Sequence, residues 1–335
     1  MDLQQRINAL SLLGDKLRTD KLPSEIYQKA EANNRWFVKE NIDFSINEIA
    51  NMLKEENLKK WIKQYPKITN YNSSKTIGVI MAGNIPLVGF HDFLSVLITG
   101  HNIIVKLSSK DNILLKEIAN ILIDIEPRFK NRISFTETTL KNFDAIIATG
   151  SDNTSKYFEY YFGKYPNIIR KNRTSVAILT GNETEKDFKN LGKDIFTYYG
   201  LGCRNVSKLF VPDNYDFVPF LDALKDFEYV YTNNKYANNR DYNSSVFLLN
   251  KVKHFDNNFL ILTENIEYSA PISVVYYETY SNIETVYKRL DIDEEKIQCV
   301  VSNISDKFIK FGQAQSPELT DYADNIDTLE FLLNL

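Results

Sequence analysis

Apolar residues recur at roughly helical intervals from the first residues onward. Leu10, Leu12, Leu13 and Leu17, then Ile26, Ala30, Trp36 and Phe37, stand among charged neighbours. Residues 1–65 are therefore expected to be helical. Pro66 and the polar run at 72–74 end that pattern. From residue 76 the character changes: short β-branched apolar runs alternate with longer segments. The runs predict strands at 76–81, 103–107, 133–136, 144–149 and 176–180. The segments between them predict helices at 87–99, at 111–123, and from Gly150-Ser151 to 161. A further helix over 184–199 and a strand over 208–211 follow, and a second βα-rich region runs to about 302. Within it 272–276 and 297–301 are strand-like. The tail is polar and ends in a leucine-rich run, Leu329 to Leu335.

Continuous β-branched runs alternating with helices indicate parallel strands covered on both faces. The layout is doubly wound and nucleotide-binding-like. No GxGxxG fingerprint and no Walker A sequence accompanies it. The chain of 335 residues is long enough for two domains or one large α/β domain. We divide it into a helical segment at 1–65, a cofactor-binding domain at 66–183, a catalytic domain at 184–302 and a segment at 303–335 that returns to the cofactor domain.

Composition narrows the class. With 43% hydrophobic and 25% charged residues the chain has a globular make-up. A net charge of −4 gives no reason to expect nucleic acid or an anionic membrane as partner. Short basic runs such as Arg170-Lys-Asn-Arg173 are read as solvated surface. No apolar run reaches the roughly 18 residues needed to span a bilayer, and the N-terminus lacks an apolar signal core. The two cysteines, Cys203 and Cys299, are too few for a disulfide framework, so a cytoplasmic location is expected. The three histidines have no metal-ligand spacing, and no metal is expected.

Cys203 is the main candidate for chemistry. It follows Tyr198-Tyr-Gly-Leu-Gly202, on a Gly-rich turn between a helix-like and a strand-like segment. A thiolate there is placed to attack a carbonyl; the alternative is a small buried apolar residue. Cys299, in Ile297-Gln-Cys-Val-Val301, is read as core. Asn84 lies in a strand-to-helix turn, Met81-Ala-Gly-Asn-Ile-Pro86. Its amide suits an oxyanion; the ordinary reading of the residue taken alone is a cap or turn. Lys106 ends an apolar strand, on the ligand side of a parallel sheet or reaching solvent. Gly150-Ser151 opens a helix, which brings backbone amides near a phosphate or is an ordinary N-cap.

In this order and spacing the residues resemble the aldehyde dehydrogenase superfamily. That family has a turn asparagine before proline, a strand-end lysine, a Gly-Ser turn and a Gly-x-x-Cys or Gly-x-Cys nucleophile, matched here by Asn84, Lys106, Gly150-Ser151 and Gly200-Leu-Gly-Cys203. Glu267-Tyr-Ser-Ala-Pro271 resembles the family's Glu-x-Phe-Gly-Pro segment, whose glutamate contacts the nicotinamide ribose, with Glu264 in the adjacent register. The segments Ala82-Gly-Asn-Ile-Pro86, Tyr199-Gly-Leu-Gly-Cys-Arg-Asn-Val-Ser-Lys208 and Phe311-Gly-Gln-Ala-Gln-Ser-Pro-Glu-Leu-Thr-Asp-Tyr-Ala-Asp324 are similar to bacterial acyl-CoA reductases of the LuxC type. The resemblance covers roughly residues 70–335.

It implies an aldehyde-dehydrogenase-like α/β fold, with a doubly wound parallel-sheet cofactor domain and an α/β catalytic domain. It further implies reduction of a long-chain fatty acyl-CoA, or an acyl-protein thioester, to the aldehyde through an acyl-cysteine. NADPH is the implied cofactor, with NADH the alternative. A homo-oligomer or a complex with an acyl-activating enzyme is the implied assembly. The rivals are a non-catalytic paralogue and an acyl-phosphate or aldehyde dehydrogenase reaction. One departure bears on the choice. Where hydrolytic aldehyde dehydrogenases carry a Glu-Leu-Gly-Gly base, this chain has Asn172-Arg-Thr-Ser-Val-Ala177, with no carboxylate. A water-activating enzyme needs that base; thioester chemistry does not. Glu183 and Glu185 are the carboxylates nearest downstream.

Overall fold

The computed structural model describes residues 1–71 and 73–335; Asn72, in the expected break at 72–74, lies outside the described residues. Asp2 opens the first helix with a reciprocal cap, accepting from the Gln5 amide at 2.8 Å while Gln5 accepts from the Asp2 amide at 3.2 Å. Four helices follow as expected: α1 (Leu3–Thr19), α2 (Ser24–Asn33), α3 (Lys39–Met52) and α4 (Glu55–Ile62). In α1, Leu10, Leu13 and Leu17 are buried, whereas Leu12 is out of phase and 54% exposed.

The chain divides into two units, residues 1–172 with 318–335, and residues 173–317. The first contains β1 (Thr76–Ile80), α5 (Phe90–Thr99), β2 (Asn102–Lys106), α6 (Leu114–Ile125), β3 (Ile133–Phe135), β4 (Ala145–Thr149), α7 (Asp152–Phe162) and β5 (Asn167–Arg170). All five strands are parallel, in the order β3-β2-β1-β4-β5. Strand order reverses between β1 and β4, the switch point where doubly wound sheets bind ligands beyond their carboxyl ends. Ile77, Val79, Ile103, Val105 and Ile147 are almost completely buried, as strands covered on both faces require.

β5 corrects the sequence reading. Arg170 is 3% exposed, not solvated surface. Its Nη1 donates to Asp92 of α5 at 2.5 Å and its Nη2 to Thr328 at 2.8 Å. The run reads as basic because a short edge strand ends on a charge whose partners lie 78 and 158 residues away.

The second unit contains β6 (Thr174–Ile178), α8 (Glu185–Phe196), β7 (Val206–Pro212), α9 (Val218–Ala223), α10 (Asn234–Leu249), β8 (His254–Asp256), β9 (Ile261–Glu264), β10 (Val274–Tyr280), α11 (Ile283–Ile292) and β11 (Ile297–Val301). Its sheet runs β11-β6-β7-β10-β9-β8, parallel except for β8 against β9. The break between units falls after Asn172, so β6 joins β7 and β11 and not the first sheet. The chain re-enters the first unit at residue 318 and ends in α12 (Thr328–Leu333). There Tyr322 accepts from Trp61 Nε1 at 2.7 Å, and Asp327 accepts from the Tyr65 hydroxyl at 2.7 Å. Among the described residues, no helix is long and apolar enough to cross a membrane.

The Asp92–Arg170 pair, with side chains 9% and 4% exposed, ties α5 to the sheet edge. Replacing Asp92 with Ala leaves a buried guanidinium without its carboxylate. We expect a loss of about 3–5 kcal/mol in urea unfolding, with a smaller loss for Asp92→Met/Arg170→Met, which removes both charges.

Candidate functional site

Asn84, Lys106, Gly150 and Ser151 come together at the carboxyl end of the first sheet. Ile80 of β1 is level with Lys106 of β2 and with Ala148 of β4, and the chain then turns into the loops that carry Asn84 and Gly150. Asn84 is half-buried, in a turn from which the helix starts only at Phe90. Leu87, expected to be helical, instead has φ 57°, a left-handed conformation that a branched residue adopts only under constraint. The constraint is visible. The Leu87 amide donates to Asp111 Oδ2 at 2.8 Å, and the Ser45 hydroxyl donates to the Pro86 carbonyl at 2.9 Å. Burial pushes the Asp111 carboxyl up to about 6.

Lys106 is half-buried at the end of β2. Ser151 is the N-cap of α7, its hydroxyl accepting from the Thr154 amide at 3.4 Å. A Cβ on Gly150 would lie 2.9 Å from Phe158 and 3.0 Å from Thr154, so any larger residue would push those side chains away from the helix start. The Gly150 amide donates to the Arg170 carbonyl at 3.3 Å and the serine hydroxyl is engaged in the cap, so what the turn offers is the backbone at the start of α7.

In the second unit α8 stops at Phe196, short of the expected 199. Tyr198, Tyr199 and Gly200 then adopt φ of 56°, 58° and 77°, three successive left-handed residues. Two of them are not glycine, at about 1–2 kcal/mol each. Asn205, 2% exposed, holds this turn from inside. Its amide nitrogen donates to the carbonyls of Asp194, Ile195 and Thr197 at 3.0, 3.2 and 2.8 Å, and its oxygen accepts from Gly202 N at 2.8 Å. The C-terminal carbonyls of α8 are thus satisfied by a side chain and not by a continuing helix. Cys203, half-buried, sits at the outlet of this turn, and neither cysteine is in a disulfide.

Ser175 of β6, fully buried, donates its hydroxyl to the Cys203 carbonyl at 3.0 Å. Its single proton is committed there. The Cys299 thiol, 3.0 Å from the same oxygen, is therefore the donor in that contact. Cys299 is half-buried on β11 and not part of the apolar core as expected. On the other side of the turn the buried Asp194 carboxylate accepts from Gly312 N at 2.6 Å and Ala314 N at 2.9 Å. Arg204 Nε donates to the Ala314 carbonyl at 2.6 Å. Burial pushes the Asp194 carboxyl up to about 6, against the pull of those two amides.

Glu267 is exposed, its amide donating to Asn265 Oδ1 at 2.9 Å. Its loop reaches back to β7: Ser207 Oγ donates to the Tyr268 carbonyl at 2.8 Å, and the fully buried Lys208 donates to the Asn265 carbonyl. Glu267 is thus brought near the strand that follows Cys203. The expected strand start at 272 shifts to Val274, because Ser273 is left-handed at φ 69°. Glu183 caps a turn, accepting from Thr180 N at 2.6 Å and Gly181 N at 3.0 Å. Glu185 pairs with Lys189 at 3.1 Å in the first turn of α8. Ser175, Asp194 and Asn205 were not singled out from the sequence. Asn205 had a local signal, two residues beyond the cysteine; Ser175 and Asp194 had none.

Asp194 gives the cysteine turn a pH dependence. Its folded pKa lies above that of an unfolded carboxyl, so the folded chain takes the proton first. The stability this group contributes is complete below about pH 4 and is lost as the pH rises through about 6. Urea midpoints of the wild type should fall over that window, and Asp194→Asn should flatten the gradient, leaving the share that Asp111 contributes with the same sign. Asn205→Ala, which orphans several buried carbonyls, should cost about 2–4 kcal/mol.

Comparison with known proteins bears on the fold and the family. Aldehyde dehydrogenase 21 from Physcomitrella patens superposes with a TM-score of 0.70 at 13% identity, over 100% of this chain and 84% of that one. The NAD+ complex of aldehyde dehydrogenase from Bacillus cereus gives 0.62 at 14% identity, over 91% and 73%. An aldehyde dehydrogenase C mutant from Pseudomonas syringae, solved with NAD+ and octanal, gives 0.61 at 10% identity, over 85% and 69%. At such identities the likeness establishes the fold: aldehyde-dehydrogenase-like, α/β, with a parallel sheet. A search of curated protein sequences gave no match. The family model described as acyl-CoA reductase (LuxC) matches residues 14–226, well over half of the chain. On that match and this fold, the chain belongs to the LuxC family of acyl-CoA reductases.

Proposed function

We propose that this protein reduces a long-chain fatty acyl thioester, acyl-CoA in the first instance, to the aldehyde, with NADPH as reductant. The observation that carries the reading is the Cys203 turn: a thiol at the outlet of a strained, left-handed turn held by the Asn205 side chain and the Ser175 hydroxyl. Strain of this kind is retained where it serves a site. The Cys203 thiolate attacks the thioester carbonyl, the C–S bond to CoA breaks, and CoA leaves as a thiol after taking up a proton. The Asn84 amide and the Cys203 N–H are the proposed donors to the oxyanion of that step.

The residues at the switch point suit a dinucleotide. A parallel doubly wound sheet, a glycine where a Cβ would crowd Phe158 and Thr154, and an α7 start whose serine hydroxyl is engaged in the cap suit a phosphate at the helix start. Ser151 would hold the pyrophosphate through its amide, and Gly150, whose own amide donates to the Arg170 carbonyl, would let the phosphate approach the backbone. Lys106 would hold the adenosine ribose or its 2′-phosphate, and Glu267 the nicotinamide ribose. The nicotinamide supplies hydride. The balance is acyl-CoA, NADPH and a proton giving aldehyde, NADP+ and CoA, with Cys203 returned as thiolate.

Glu183 and Glu185 support the choice of thioester chemistry over hydrolysis, since each has a local structural use and the segment 172–177 holds no carboxylate. Radiolabelled acyl-CoA should label the wild type and leave Cys203→Ala unlabelled; equal labelling would sink the mechanism. Asn84→Ala should slow acylation by about 10²–10³ while sparing cofactor affinity. Without reductant, the acylated protein should persist long enough for intact-protein mass spectrometry and be discharged faster by added thiol than by water. Prompt release of free fatty acid would return the protein to the hydrolytic dehydrogenases.

A further inference from the structure

Two buried donors beside the cysteine turn have no partner among the described residues. They are Arg204 Nη2 and Gln315 Nε2. Gln315 is 9% exposed. Arg204 follows the nucleophile directly, and its Nε is anchored to the Ala314 carbonyl, the residue before Gln315. Asp194 clamps the same segment through the amides of Gly312 and Ala314. Gly312, at φ 86°, passes so close to α8 that a Cβ would lie 3.0 Å from Asn190. The segment is thus fixed against the turn, and Arg204 is tied to the residue next to Gln315. Buried donors are almost always satisfied, and an orphan is costly. The other such donors in this unit, Arg240 Nε and Asn257 Nδ2, are on elements without a candidate site residue.

We propose that Arg204 and Gln315 form a donor pair for an anionic oxygen of the acyl thioester substrate. Both unmet groups are N–H donors and one is cationic, so an acceptor carrying negative charge suits them best. Two parts of the substrate have that chemistry: the oxyanion formed when Cys203 attacks, and the phosphates of CoA. The assignment rests on the thioester reading of the reaction.

The test uses the full chain and two variants. Gln315→Met removes the orphan donor at similar volume; Arg204→Lys keeps the charge but loses the fork. The readouts are the burst of thiol release from dodecanoyl-CoA and from dodecanoyl-pantetheine, together with the melting temperature. A tenfold or greater loss of burst rate in both variants, with Gln315→Met melting no lower than wild type, is the expected result. Loss with both thioesters assigns the pair to the oxyanion; loss with dodecanoyl-CoA alone assigns it to the phosphates. Burst rates within twofold of wild type overturn the proposal. So does a clearly lowered melting temperature in Gln315→Met, which would give that amide a structural partner. If the wild type releases no thiol from either thioester, the reaction is misread. Inorganic phosphate then decides the site: stabilisation of the wild type lost in both variants supports an oxyanion pair, and no stabilisation overturns it.

Discussion

The Asn205 side-chain amide is the contact on which the cysteine turn depends. It gathers the last carbonyls of α8 and the Gly202 amide into one buried cluster. Without it, the chain between Thr197 and Gly202 would have to satisfy those groups by continuing the helix, and Cys203 would be carried past its strand. The amide instead ends the helix, and the two left-handed tyrosines become the shortest route back to β7. Both tyrosines are buried, and the Tyr199 ring lies 6.1 Å from Tyr236, so packing offsets part of the backbone strain.

The same economy operates at the other loop. Leu87 is left-handed because Asp111 takes its amide and Ser45 donates to its neighbour's carbonyl. In each unit a buried carboxylate, Asp111 or Asp194, organises backbone amides around a candidate residue and has its pKa raised by burial. Each carboxylate is more useful to local geometry than to stability, since at neutral pH its desolvation opposes folding.

Sheet order does the rest. A switch point between β1 and β4 brings the ends of β1, β2 and β4 to one edge whatever lies between them in sequence. Asn84, Lys106 and Gly150 therefore need only stand at or just past the end of a strand to be neighbours there. That rule is what made them visible in the sequence.

The sequence by itself determined the helical start, the alternation of strands and helices, the strand ends carrying Asn84, Lys106 and Gly150, and the Gly-flanked cysteine, because these follow from periodicity and local turn chemistry. It misplaced β6 and missed β5, since a short apolar run does not say which sheet will pair it; that depends on hydrogen bonds to strands tens of residues away. It misread Arg170 as solvated because its partners, Asp92 and Thr328, are remote. Ser175, Asp194 and the Arg204–Gln315 pair emerged only from the tertiary structure. A serine, an aspartate or a glutamine is locally indistinguishable from a surface residue, and only burial next to a particular carbonyl, amide or empty donor position gives it a role.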